Sequence, residues 1–209
     1  MESEKDKKIG REDPAPTTLL TPDDLDGLLP KYITTREELN DAEFRNTAEA
    51  TKKYFLSRRK LEFTLSGLYQ VHKDMFGQVW KWAGKKRLTN KNIGIDKVEI
   101  DVELQKLVDD FHFWKSRDFD LIEISARMHH RLVYIHPFNN GNGRWARFIV
   151  NLFLIEHLDS YLDFPEDDLI LTTTVRKNYI RALKQADVLN YKPLIHFHNK
   201  YLSPFSEPE

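Results

Sequence analysis

The sequence predicts an all-α fold, a helical bundle that carries one small β-hairpin. Two observations lead there. Apolar residues recur at spacings of three and four in segment after segment, the period of a helix with one buried face. One stretch, from about Arg87 to Ile100, shows a shorter, turn-rich period that suits a hairpin. At 209 residues the chain fits one domain of generous size, or a core with a small appendage.

Residues 1–17 are charged and then proline-bearing, the composition of a disordered tail. A helix start is expected at Thr21-Pro22-Asp23-Asp24, with Thr21 as cap and Pro22 at the first helical position. Thr34 to Glu37, or Thr35 to Glu38, fits a capping box opening a helix that runs to about Leu56. Residues 18–56 thus read as N-terminal helices, a candidate regulatory segment, and residues 57–202 as the core domain. Leu65, Leu68, His72, Met75 and Phe76 make one face of a further helix, stopped by Gly77. Ile93, Ile95, Val98 and Ile100, with Gly94 and Asp96 between, supply the hairpin. Leu104, Leu107, Val108, Phe111 and Trp114 form another helix, and Leu121, Ile124, Met128, Leu132 and Ile135 the next. Pro137 disfavours helical geometry at His136, so that helix stops there. Trp145, Phe148, Ile149, Leu152, Phe153 and Ile155 mark its successor. Asp163-Phe164-Pro165 breaks the chain, and two final helices are expected around Leu169 to Ala186 and Tyr191 to Tyr201.

Composition excludes several function classes. A formal charge of −1 lacks the basic excess of a dedicated nucleic-acid binder. With no cysteine there is neither a disulfide nor a thiolate metal site, which suits a reducing, cytoplasmic location. Residues 1–8 have no apolar core, so no signal peptide is expected. No stretch approaches the ~20 apolar residues of a membrane span. His129 and His130 are adjacent and would point about 100° apart on a helix. His196 and His198 would share a face only on a strand. No zinc site is therefore expected from these histidines. Lys85-Lys86-Arg87 reads as a solvated basic turn, and Trp80 and Trp82 as core.

The chemistry concentrates in His136-Pro137-Phe138-Asn139-Asn140-Gly141-Asn142-Gly143-Arg144-Trp145-Ala146-Arg147. His136 sits at a helix end, where a side chain can project into a cleft. Two glycines around Asn142 permit the positive φ angles of a backbone nest whose N–H groups converge on one anion. The turn leads into a helix N-terminus, where unpaired N–H groups and the macrodipole favour phosphate. Arg144 and Arg147 are three apart and can reach the same side of that first turn. Their planar forks suit phosphate oxygens. A base beside an anion cradle suggests phosphate chemistry on a nucleotide.

These twelve residues resemble the signature of the Fic family, His-Pro-Phe-x-(Asp/Glu)-Gly-Asn-Gly-Arg-x-x-Arg. Leu68-Tyr69-Gln70-Val71-His72, the run from Phe76 to Gly84, and Lys91-Asn92-Ile93-Gly94-Ile95 resemble the family's pre-core helix, its Trp-Ala-Gly segment and its flap. Residues 21–30 and 33–40 resemble a bacterial subgroup called mobile mystery protein B. The resemblance runs from about Thr18 to about Leu202. It implies a Fic-type helical bundle with a β-hairpin flap, and a protein adenylyltransferase that moves AMP from ATP to a Ser, Thr or Tyr hydroxyl with Mg²⁺ or Mn²⁺. His136 would be the general base. Phe138 would anchor the loop. Gly141, Asn142, Gly143, Arg144 and Arg147 would hold the phosphates, and the flap residues Asn92, Ile93, Gly94 and Ile95 would dock the target by strand-like pairing. The resemblance also implies a protein substrate, self-modification and, by analogy, a small helix-turn-helix partner encoded nearby.

One position departs from the family pattern. The family's metal-holding carboxylate is Asn140 here, and an amide oxygen brings no negative charge to Mg²⁺. Three outcomes stay open: slower AMP transfer, a different donor or orientation, or a site that binds without turnover. The last makes the chain a nucleotide- or peptide-binding module. Many Fic proteins also restrain themselves with a glutamate paired to the second signature arginine, here Arg147. Glu38, Glu43 and Glu207 are the candidates, and Glu43 is favoured.

Overall fold

The computed structural model describes residues 25–165, 168–169 and 173–206. The expected cap at Thr21 and the candidate Glu207 lie outside them. Among the described residues seven α-helices carry the fold: α1 (Arg36–Thr51), α2 (Leu65–Phe76), α3 (Ile100–Ser116), α4 (Leu121–Ile135), α5 (Asn142–Leu158), α6 (Thr174–Ala186) and α7 (Lys192–Tyr201). Strands β1 (Ser160–Leu162) and β2 (Leu202–Pro204) pair antiparallel, Tyr161 opposite Ser203. Among the described residues no helix is long and apolar enough to cross a membrane.

Local chemistry sets the ends. Thr35 and Glu38 form the capping box of α1, which continues as π-helix over Lys52–Leu56. Thr64, Asp120 and Thr173 each accept a backbone N–H at the start of α2, α4 and α6. Asp159, in the left-handed region at φ 45, ends α5 and turns the chain into β1. Asn151 then clamps Leu162, accepting its N–H at 2.8 Å and donating to its carbonyl at 3.1 Å. The α6 helix begins at Thr174, later than the expected Leu169.

Helix α5 is the centre of the bundle. Trp145, Ala146, Ile149, Val150 and Leu154 are wholly buried, and its neighbours are α4, α2 and β1. One core runs from Leu28 to Phe197, so α1 shares it. Asn46 of α1 fastens the end of α2, donating to the Asp74 carbonyl and accepting the Gln78 N–H, both at 2.9 Å. A second polar fastening joins α4, α6 and α7 inside the core. Ser125 and His198 Nδ1 are hydrogen-bonded at 2.8 Å, His198 Nε2 and His129 Nδ1 at 2.9 Å, and His129 Nε2 and the Tyr179 hydroxyl at 3.0 Å. Burial holds His198 down to about 3 and His129 well below its ordinary value, so both imidazoles are neutral and the chain of bonds needs no counter-ion.

The flap differs from expectation. Residues 88–99 form bends and turns without a strand, and Ile100 begins α3 instead of ending a hairpin. The cause is side-chain bonding in place of a ladder. Arg87 lies buried beneath the segment and donates to the carbonyls of Thr89 and Ile95. Asn90 donates to Asp96 and accepts the Lys97 N–H, both at 2.9 Å. These bonds satisfy the backbone locally. Among the described residues the one small sheet is β1–β2, at the far end of α5.

Candidate functional site

His136 caps α4 in the left-handed conformation, φ 51 and ψ 59. An L residue there is strained by ~1 kcal/mol or more, so its surroundings must hold it. The His136 N–H donates to the Leu132 carbonyl, and its own carbonyl accepts Arg87 Nε at 2.8 Å. Arg87 also donates its backbone N–H to Pro137. The Val133 backbone favours the protonated ring, against the effect of burial, and a neutral imidazole keeps one nitrogen as an acceptor. Burial, helped by the nearby Arg87 and Lys91 cations, lowers the imidazole to about 4. The imidazole is therefore neutral near pH 7. Gly94 packs directly against it. A Cβ at Gly94 would come within 2.5 Å of His136 Cβ, and its φ of +88 already disfavours any side chain.

The loop after His136 is built from inside. Phe138 is fully buried, its ring stacked on His72 at 3.6 Å between centroids. His72 accepts the Gly84 N–H at Nδ1 and donates from Nε2 to the Asn140 carbonyl at 3.1 Å. Burial pushes His72 down to about 3, so it stays neutral. The Asn142 side chain closes the turn, accepting the Phe138 N–H at 2.8 Å and donating to the Phe138 carbonyl at 2.9 Å.

At the start of α5 no side chain caps Gly141, which has a φ of 76. The N–H groups of Asn142, Gly143 and Arg144 consequently have no intrahelical acceptor. Arg147 reaches back over this turn, its Nη1 3.3 Å from where a Gly143 Cβ would stand. Arg144 turns elsewhere, lying over the Phe76 ring and pairing with Glu43 at 2.8 Å. The two arginines thus bracket the helix end and do not point to one side. Glu43 is 6% exposed and receives a second donor, Trp80 Nε1, at 2.6 Å.

The sequence-based candidates sort accordingly. His136, Gly141, Gly143, Arg144 and Arg147 gather around one loop and helix end. Asn142 supplies a backbone N–H, but its side chain is used in bracing. Asn140 accepts the Gly141 N–H at 2.8 Å through its side-chain oxygen, so only part of that oxygen's capacity remains. Among the described residues no cluster of three or more His, Cys, Asp or Glu could hold a metal ion. In the flap, Gly94 abuts the base, whereas Ile93 stands 52% exposed. Glu43 meets Arg144 and not Arg147, since α1 packs on the α2 side of α5. Glu38 is tied to Thr34 and Thr35 by its capping box.

Three residues escaped the sequence reading. Arg87 is 1% exposed, not a solvated turn, because three carbonyls replace water around its guanidinium. Nothing in a Lys-Lys-Arg run signals that. Val133 matters through its backbone, which no side-chain pattern reveals. His72 did carry a signal, a lone polar residue within an apolar helix face.

Comparison with known proteins agrees with this geometry. Residues 62–154 match the model of the Fic/DOC family. The chain is 30% identical over 147 residues to "Protein adenylyltransferase Fic" of Nematostella vectensis, covering 68% of this chain and 33% of that protein. It is 27% identical over 151 residues to "Protein adenylyltransferase fic-1" of Caenorhabditis elegans, covering 70% of this chain and 28% of that one. The chain spans about a third of the length of the curated relatives it matches. The BepC protein of Bartonella tribocorum, solved with bound AMPPNP, has a TM-score of 0.62 at 17% identity over 87% of this chain and 98% of that chain. Fic-1 from C. elegans has a TM-score of 0.64 at 22% identity over 84% of this chain and 52% of that one. At those identities the solved structures establish the fold. The animal relatives bear on the family and not on the bacterial subgroup. With its signature loop seated between α4 and α5, the chain carries a Fic/DOC family domain at residues 62–154.

Proposed function

We propose that this protein transfers AMP from ATP to a hydroxyl side chain of a protein target. The observation that carries the reading is the neutral, half-buried His136 imidazole at the edge of an uncapped helix N-terminus flanked by two arginines. In the reaction, the target hydroxyl oxygen attacks the α-phosphorus. Its proton passes to the acceptor nitrogen of His136, and the bond from the α-phosphorus to the bridging oxygen breaks, releasing pyrophosphate. The N–H groups of residues 142–144 and the guanidinium of Arg147 would meet the phosphate oxygens. Relatives named as protein adenylyltransferases support the activity at 27–30% identity. Mg²⁺ or Mn²⁺ would enter with the nucleotide, whose oxygens are its main ligands, and Asn140 would add one neutral oxygen.

A second reading, a nucleotide-binding module with little turnover, is favoured by Asn140 and by the Glu43–Arg144 pair. Glu43 would restrain the site by holding Arg144 away from phosphate. Incubation with α-labelled ATP and Mg²⁺ or Mn²⁺ separates the readings. Label on protein that is lost in His136→Ala supports the transferase. Inert wild-type protein beside an active Asn140→Asp variant supports the module. Glu43→Gly is expected to raise self-labelling; equal labelling in that variant would dismiss the restraint.

A further inference from the structure

Arg87 is a buried cation to which the transfer reaction assigns no task. It is 1% exposed, and its donors reach two parts of the molecule. The backbone N–H bonds the Pro137 carbonyl and Nε bonds that of His136, both at 2.8 Å. Nη1 bonds the Thr89 carbonyl at 3.0 Å, and Nη2 bonds that of Ile95. Thr89 and Ile95 stand on either side of Asn92 and Ile93 in the flap. One planar group therefore spans the flap and also grips the two residues that follow α4. Hydrogen bonds from a charged donor are about twice as strong as neutral ones.

His136 needs an outside anchor. It holds the left-handed conformation, and Pro137 carries the chain out of the helix, so its carbonyl has no helical donor. Arg87 supplies one. The flap meets the same place from the other side. An ideal Cβ on Gly94 would stand 2.5 Å from His136 Cβ, 3.1 Å from Arg87 Nη2 and 3.2 Å from the Ile135 carbonyl. Gly94 thus lies against both the guanidinium and the histidine. The guanidinium is rigid and planar, so a flap that moves Thr89 or Ile95 moves the donor that holds His136.

Resting on the transferase reading, we infer that Arg87 is a positioning residue for His136, tying the flap and the imidazole into one unit. A target segment held by the flap then meets the acceptor nitrogen at a fixed place. Arg87 acts through the His136 backbone and touches no reacting atom. The requirement is its fork and not its charge. Nε, Nη1 and Nη2 diverge in one plane toward three carbonyls, a pattern that a lysine ammonium does not reproduce. Arg87 makes no bond to the start of α5, so nucleotide affinity should be separable from positioning.

The test is self-labelling of the full chain with α-labelled ATP, in whichever of wild type, Glu43→Gly or Asn140→Asp labels fastest. Arg87→Lys and Arg87→Gln are set beside Asn90→Ala, which removes two flap bonds and leaves His136 untouched. A fluorescent ATP analogue should bind all three as tightly as their parent, which also reports folding. In both Arg87 variants the maximal labelling rate should fall about a hundredfold, the effect of an ångström-scale misplacement, at unchanged KM for ATP. Trypsin should cut after Lys91 faster in all three, while Asn90→Ala loses far less labelling rate. Arg87→Lys keeps the charge and decides the matter if Arg87→Gln folds poorly. A full rate in Arg87→Lys, an equal loss in Asn90→Ala, or a loss of rate that only follows loss of analogue binding overturns the positioning role and leaves the transferase reading standing. No labelling by wild type, Glu43→Gly or Asn140→Asp overturns both.

Discussion

At His136, burial and two nearby cations act on one imidazole in the same direction. An ordinary histidine is half protonated near pH 6.5, and this one only near 4. The acid limb of kcat/KM, which reports the free protein, should therefore lie well below pH 6.5. Triphosphate brings negative charge beside the ring and raises its pKa, so the limb of kcat should lie above that of kcat/KM. A kcat/KM limb centred at pH 6.5 would contradict the burial. Gly94 offers a second test on the same residue. Gly94→Ala sets a methyl against His136 and forces a strained φ. Transfer should fall by about a hundredfold, the effect of an ångström-scale misplacement, with ATP-analogue binding retained.

Among the elements, the turn between α4 and α5 depends on Asn142. Asn142→Ala leaves the buried N–H and carbonyl of Phe138 unmet, an effect of about 1–3 kcal/mol per group. Denaturant unfolding should show a loss of that order, and α5 would lose its ordered start. Asn142→Asp should recover the first bond and not the second. How much was legible in the sequence divides along the same physical line. Helix ends written in side-chain caps, such as Thr35 with Glu38, or in proline, as after His136, follow from local chemistry. Of the expected Gly141-Asn142-Gly143 nest only Gly141 takes a positive φ, 76, while Asn142 and Gly143 already belong to the first turn of α5. The flap reads as a hairpin because Ile93 and Ile95, and then Val98 and Ile100, each alternate as in a strand, while the side chain of the buried Arg87 decides the backbone. The β1–β2 pair was missed for a related reason. Three residues at each end of a forty-residue separation carry no periodic signal, and the clamp that holds them comes from Asn151.

For the molecule as a whole, histidines enclosed in the neutral form set the response to acid. His72, His129, His130 and His198 are buried and His136 is half-buried, and burial holds all five below the ordinary histidine value. The unfolded chain takes up these protons near pH 6.5, and the folded chain does so only far lower. Stability is then full above about pH 6.5 and falls as pH drops toward 4. The carboxylates of Asp74, Asp96 and Asp101 are also held below their ordinary value, but their contribution fades in a lower window, below about pH 4. Between pH 7.5 and 5.5 the melting temperature should fall by at least about 5 °C, given ~2–4 °C per kcal/mol at this size. A flat profile over that range would mean the histidines are not neutral and enclosed.

The carboxylate of Glu43 is shared between two donors, Arg144 on one oxygen and the Trp80 indole on the other. That sharing makes the protein its own optical indicator. Trp80 is 5% exposed and stacks on Trp82, so its emission is sensitive to the charge at its N–H. An anion that draws Arg144 into the loop frees Glu43 to shift, and the indole loses its charged neighbour. Titration with unlabelled ATP should then change intrinsic fluorescence in wild-type protein and much less in Glu43→Gln. Occupancy of the loop could thus be followed without any chemistry taking place.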